Sequence, residues 1–129
     1  MTLIDTSAWI EFFRRQGNPE GKKRVAELIN RDEAVFSCPI QFELLAGARP
    51  GEVGDIDLAL SFATHIKFSH QHWLEAARLE KELRRKGITI PRDDILVAAL
   101  AKTERLPILA YDNHFQLLRD QGKILLKLV

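Results

Sequence analysis

Asp5, Glu43, Asp94 and Asp112 stand far apart in the chain, yet each occupies a place from which an α/β fold would bring it to one edge of a sheet. Carboxylates gathered a few ångströms apart raise one another's pKa and cannot all ionise without a cation between them. Four converging acids therefore point to a bound metal, and an all-oxygen ligand set suits a hard ion, Mg²⁺ or Mn²⁺. Such an ion activates a phosphate and a water for hydrolysis, and a second ion about 3.5–4 Å away would stabilise the leaving oxygen; the spacing of the acids leaves one or two ions open.

Singly, each acid has a plainer reading. Asp5 or Asp112 would be a helix cap or turn residue, Glu43 an exposed helix charge, and Asp93-Asp94 a cap with its solvated neighbour. Their settings argue for the joint reading. Asp5 and Asp112 each follow an apolar strand, Glu43 is wedged between Phe42 and Leu44, and Asp94 precedes the most apolar helix of the chain.

The elements that must position these acids alternate along the chain. Leu3-Ile4 reads as a short buried strand running into a helix with Trp9, Ile10, Phe12 and Phe13, capped by Asp5, Thr6 or Ser7 and ended by Gly17. Asn18 and Pro19 open a second helix with Val25, Leu28 and Ile29 on one face. Ala34 to Ser37 is a second strand, followed by a Pro39 helix that carries Glu43 and stops near Gly47. Gly51 and Gly54 mark a loop before a helix at 56–62; 66–68 is a third strand, and 70–86 a longer helix whose buried stripe is Trp73, Ala76, Leu79 and Leu83. Asp93 caps a helix from Asp94 to about Glu104, so Asp93→Ala is expected to cost about 0.5–2 kcal/mol. Ile108 to Ala110 resumes the strand pattern, 115–118 forms a short helix, and Ile124 to Leu128 a final strand. The alternation predicts an α/β fold, three-layered, with a central mainly parallel sheet of four to five strands covered by helices, in one domain over 1–129.

Composition bounds the function. With 129 residues and 46% hydrophobic content the chain can bury a core without staples. The single cysteine, Cys38, cannot form an internal disulfide and reads as a buried thiol, which fits a reducing cytoplasm. The longest apolar run, Ile95 to Ala101, is too short for a bilayer, so no membrane association is expected. Nineteen Lys and Arg against eighteen Asp and Glu exclude a global basic field of the kind that binds nucleic acid unspecifically. Local cations must therefore contact any phosphate: Arg92, beside the acidic pair, and Arg14 or Arg15. His65, His70 and His72 read as surface or boundary residues, and His114 as a neighbour of the site that four oxygen ligands make unnecessary.

Four stretches carry a resemblance. Leu3 to Glu11 (LIDTSAWIE), Phe42 to Ala48 (FELLAGA), Asp94 to Ala99 (DILVAA) and Tyr111 to Phe115 (YDNHF) are similar, in order and spacing, to the four motifs of PIN-domain ribonucleases, and in particular of VapC toxins of toxin–antitoxin pairs. The resemblance implies a PIN-like fold and a metal-dependent endoribonuclease in which Asp5, Glu43, Asp94 and Asp112 hold Mg²⁺ or Mn²⁺. Thr6 or Ser7 would support them, hydrogen-bonded to a metal-bound water. The family register selects Asp94 over Asp93, three residues before Val97. Ala110 departs from the family's hydroxyl residue two positions before the fourth acid. The resemblance further implies an RNA substrate, a VapB-like antitoxin lying on Trp9, Ile10, Phe12 and Phe13, and a homodimer within a larger toxin–antitoxin complex. A catalytically degenerate PIN-like module that binds RNA or protein is the alternative, countered by the presence of all four acids. A phosphatase is countered by Ser7, where that pattern needs a second Asp, and by the lack of a suitably placed lysine after the Asp112 strand.

Overall fold

The computed structural model describes all 129 residues, Met1 to Val129. Four parallel strands, β1 (Thr2–Ile4), β2 (Ala34–Phe36), β3 (Thr64–His65) and β4 (Ile108–Leu109), form one sheet in the order β3-β2-β1-β4. Seven helices surround it: α1 (Thr6–Phe13), α2 (Pro19–Asn30), α3 (Cys38–Ala46), α4 (Val53–Ser61), α5 (His70–Arg85), α6 (Arg92–Glu104) and α7 (His114–Asp120). The three-layer α/β reading of the sequence is thus the architecture observed. Helices cover both faces of the sheet, and every residue of β1, β2 and β4 is buried.

Local chemistry explains the helix starts. Asp5 is the N-cap of α1, its carboxylate accepting from the Ser7 N–H, and Asn18 caps α2 with its carbonyl oxygen on the N–H groups of Glu20 and Gly21. Pro19 and Pro39 sit in the first turns of α2 and α3, where a missing N–H costs nothing. Trp9 is fully buried on α1, stacked on Phe13 at 5.8 Å and edge-on to Phe12 at 6.0 Å, an aromatic cluster within that helix. Helix α6 runs through the middle of a continuous core, with Ile95, Val97, Ala98, Ala99, Leu100 and Ala101 all buried.

Several expectations are corrected. Helix α6 begins at Arg92 with Pro91 in the cap position and no side-chain cap, so Asp93 is an exposed first-turn residue and not the N-cap. The third strand lies at 64–65, two residues earlier than the apolar pattern, because the backbone pairs there and the apolar residues of 66–68 only flank it. Residues 124–128 run extended beside β4 but make one isolated bridge, Ile108 to Leu128, so they form no strand. On α5 the buried face takes His72 and leaves Trp73 53% exposed. His72 accepts from the Ser69 N–H at Nδ1 (2.9 Å), which fixes Nε2–H as the donor to Glu104, 2.8 Å away, and the bond ties α5 to the end of α6. Cys38 is exposed at the first position of α3, with its Sγ 3.3 Å from His65 Nε2. A 3₁₀ turn at Pro50–Glu52 and the start of α4 replace the expected loop around Gly51 and Gly54. No helix is long and apolar enough to cross a membrane.

Candidate active site

Strands β1 and β4 are neighbours, and β1 also pairs with β2, so the chain order reverses at β1. In parallel α/β sheets such a point opens a crevice beyond the carboxyl ends of the strands. Asp5 follows β1 directly and is 1% exposed. Its Oδ2 accepts from the Ser7 N–H (3.0 Å) and the Ser7 hydroxyl (2.6 Å), while its Oδ1 is buried with no partner at all. The same Ser7 oxygen accepts the backbone N–H of Tyr111 at 2.9 Å, so one hydroxyl ties the turn after β1 to the segment after β4. Ser7 thereby supplies a hydroxyl contact to the segment in which Ala110 has none.

Asp94 lies in the first turn of α6 and is 8% exposed. Its Oδ2 meets His114 Nδ1 at 2.5 Å, and the same nitrogen is 3.7 Å from Asp112 Oδ1. Asp112 folds back to accept the His114 N–H at 3.0 Å, a local turn that orients both side chains. Asp94, Asp112 and His114 can place one ligand atom each within 4.8 Å of one another. Glu43, half-buried on α3, accepts the Thr6 hydroxyl at Oε1 (2.9 Å). Thr6 therefore holds Glu43 and Ser7 holds Asp5: the two adjacent hydroxyls serve different acids.

The acids feel one another. Burial first, then the charges of Asp5 and Asp112, push the Asp94 carboxyl up to about 7, against the lowering influence of His114. Burial also raises Asp5, with Asp112 adding to the rise and the Ser7 hydrogen bonds opposing it. Glu43 is raised by burial, and after the opposing Thr6 bond by the charges of Asp93, Asp5 and Asp112. All four predicted acids are thus within electrostatic reach of one cluster, and exposed Asp93 borders it through Glu43.

Other predicted residues stand apart. The Arg92 guanidinium is closed on both Glu80 carboxylate oxygens, at 2.8 and 3.1 Å, so the phosphate contact read for it would require breaking that pair. Arg14 is held loosely by Glu11 at 3.4 Å, and Arg15 is exposed. Trp9 is fully buried and supplies no contact surface, which corrects its reading as a partner residue; Ile10 is 44% exposed, and Phe12 and Phe13 are half-buried. His114 is the site residue the sequence reading set aside. Its position two residues after Asp112 was the only signal of its role.

Known proteins share this fold. A family model described as PIN domain matches residues 2–120. Ribonuclease VapC19 of Mycobacterium tuberculosis is 30% identical over 122 residues, covering 93% of this chain and 96% of that protein. Ribonuclease VapC11 of the same species is 30% identical over 134 residues, covering 92% and 91%. Among solved structures, VapBC2 from Rickettsia felis bound to a promoter DNA fragment superposes with a TM-score of 0.78 at 19% identity, over 99% of this chain and 96% of that one. FitAcB from Neisseria gonorrhoeae gives 0.77 at 21% identity, over 99% and 96%. By the extent of the family match and by identity along nearly its whole length, the chain belongs to the PIN-domain family and, within it, to the VapC ribonucleases.

Proposed function

We propose that this chain is a divalent-metal-dependent endoribonuclease and the toxin of a toxin–antitoxin pair. The observation that carries the catalytic reading is Asp5 Oδ1: a buried carboxylate oxygen with no hydrogen-bond partner, beside acids whose pKa values their neighbours raise. Leaving such an atom unsatisfied is costly; Asp94, Asp112 and His114 place ligand atoms within 4.8 Å of one another, a trio that Asp5 borders without belonging to it, and its carboxylate oxygens suit a hard divalent cation. Asp5, Asp94 and Asp112 are the proposed ligands, with Glu43 completing the acidic set. When bound, Mg²⁺ or Mn²⁺ supplies Lewis-acid activation of the scissile phosphate and of the attacking water.

The protein's own groups do the rest. Ser7 fixes the Asp5 rotamer through Oδ2 and leaves the buried Oδ1 without a hydrogen-bond partner. Thr6 occupies Glu43 Oε1, so Oε2 remains to accept the proton that the attacking water loses as its oxygen bonds to phosphorus and the ester P–O bond breaks, the departing oxygen leaving as a hydroxyl with a proton from solvent.

The partner reading rests on the relatives. The structures that share this fold include VapBC complexes and toxin–antitoxin complexes, which supports a VapB-like antitoxin for this chain and a complex with it; a homodimer within that complex is part of the same proposal. Ile10, Phe12 and Phe13 are its proposed contact residues.

The test is cleavage of RNA by purified protein with Mg²⁺ or Mn²⁺, with and without chelator, compared with Asp5→Asn. Cutting by wild type that stops with chelator and is absent from a folded Asp5→Asn protein is the expected result. Equal cutting by the variant refutes the proposed chemistry.

A further inference from the structure

Two adjoining depressions lie beside the acidic cluster. The smaller holds Glu43 and Arg14; the larger, of about 730 Å³, holds Arg14, Arg15 and Arg49. They share Ile10, Phe13, Arg14, Gly47 and Glu52, so they form one groove running from Glu43 past Glu52 to a set of three arginines. The geometry of α1 gives the groove its length. Thr6 at the start of α1 bonds Glu43, whereas Arg14 is the C-cap eight residues on, about 12 Å along the helix axis.

These arginines are weakly engaged. Arg14 meets Glu11 only at 3.4 Å, Arg49 meets Glu52 only at 3.6 Å with its side chain 90% exposed, and Arg15 has no carboxylate within 4.0 Å. Arg78, Arg84 and Arg92 by contrast each hold a carboxylate at 2.7–3.0 Å, whereas Arg24, Arg31, Arg85 and Arg105 are unpaired like the groove arginines but line neither depression. In a chain with a net charge of +1, three loosely held guanidinium groups against the single carboxylate of Glu52 give the larger depression a local positive excess that the composition alone does not predict. A cation at a helix C-terminus accounts for Arg14. It covers the adjacent Arg15 as well, but it does not account for Arg49, which comes from the loop after α3.

We propose that Arg14, Arg15 and Arg49 hold the backbone phosphates of the RNA strand on one side of the cleavage point and lead that strand along α1 to Glu43. This rests on the ribonuclease reading above. Guanidinium groups suit the role because each is permanently charged and can grip a phosphate with two parallel donors. Contacts of this kind position a strand without reading its bases.

The test is binding of a short single-stranded RNA to metal-free Asp5→Asn protein, measured across a series of salt concentrations. Removing one phosphate-binding guanidinium should reduce the slope of log K against log salt by about 0.7, so Arg14→Ala/Arg15→Ala/Arg49→Ala should flatten it by about 2. Arg49→Ala alone, on an exposed loop, should flatten it by about 0.7 and provides the measurement if the triple variant fails to fold. Lys81→Ala/Arg85→Ala, on the basic face of α5, should leave the slope unaltered. An unaltered slope in Arg49→Ala and the triple variant overturns the proposal, and so does an unaltered slope accompanied by weaker antitoxin binding, which would assign the groove to that protein. If wild-type protein cleaves RNA in that case, the ribonuclease reading survives; if it neither binds nor cleaves RNA, that reading itself fails.

Discussion

At the scale of single residues, Ser7 connects the site. Its hydroxyl donates to Asp5 and accepts from the Tyr111 backbone, spanning 104 positions of sequence. Ser7→Ala leaves a backbone N–H and a carboxylate oxygen short of partners, so unfolding in denaturant should show a loss of about 1–3 kcal/mol, together with reduced RNA cleavage. Asp94 carries the pH dependence. Its folded carboxyl binds a proton more tightly than in the unfolded chain, so its favourable contribution is complete below about pH 4 and is lost as pH rises through about 7. In chelator, the wild-type melting temperature should therefore fall from pH 5 to pH 8, and Asp94→Asn should lessen that fall and melt higher at pH 8. Asp93→Ala, at an exposed position without a cap bond, should shift stability by no more than about 0.5 kcal/mol. The sequence made Asp5 and Asp94 legible because apolar runs pin them to a strand end and a helix start. His114 is illegible because four carboxylates already make a full oxygen ligand set, and Glu80 as the partner of Arg92 because 12 residues and a helix boundary separate them.

At the scale of elements, the helices were readable from caps and periodicity, and the misreadings have physical causes. A one-residue error of phase on α5 exchanged Trp73 for His72: hydrophobicity favours burying the indole, but Ser69 and Glu104 satisfy both nitrogens of the imidazole and offset the cost of its burial. Trp73 instead packs edge-on against Phe68 at 4.9 Å. The two positions should respond differently in equilibrium unfolding. Leu79→Ala, at a fully buried site, should cost about 2–5 kcal/mol, whereas Trp73→Ala should cost about 0.5–1.5 kcal/mol from its aromatic pair; equal losses would put the indole in the core. The segment 124–128 alternates buried and exposed side chains as a strand does, with Leu125 84% exposed. Within β4 only Ile108 bonds to it and its neighbour, donating to the Lys127 carbonyl and accepting from Val129, and side-chain alternation says nothing about how many such bonds form.

At the scale of the whole molecule, alternating strands and helices announced a parallel sheet, whereas its order could not be read because pairing between distant strands leaves no local trace. That order matters most: with β1 between β2 and β4, the ends of β1 and β4 and the first turn of α6 meet, and Asp5, Asp94 and Asp112 share one field. The proposed chemistry requires that this convergence serve a cation. Calorimetric titration of Mn²⁺ into wild type, Asp5→Asn and Asp94→Asn tests it most directly. Binding by wild type, weakened at least about tenfold in each folded variant (about 1.4 kcal/mol), is the predicted result. Equal affinity in all three proteins, or no binding to wild type, would contradict it.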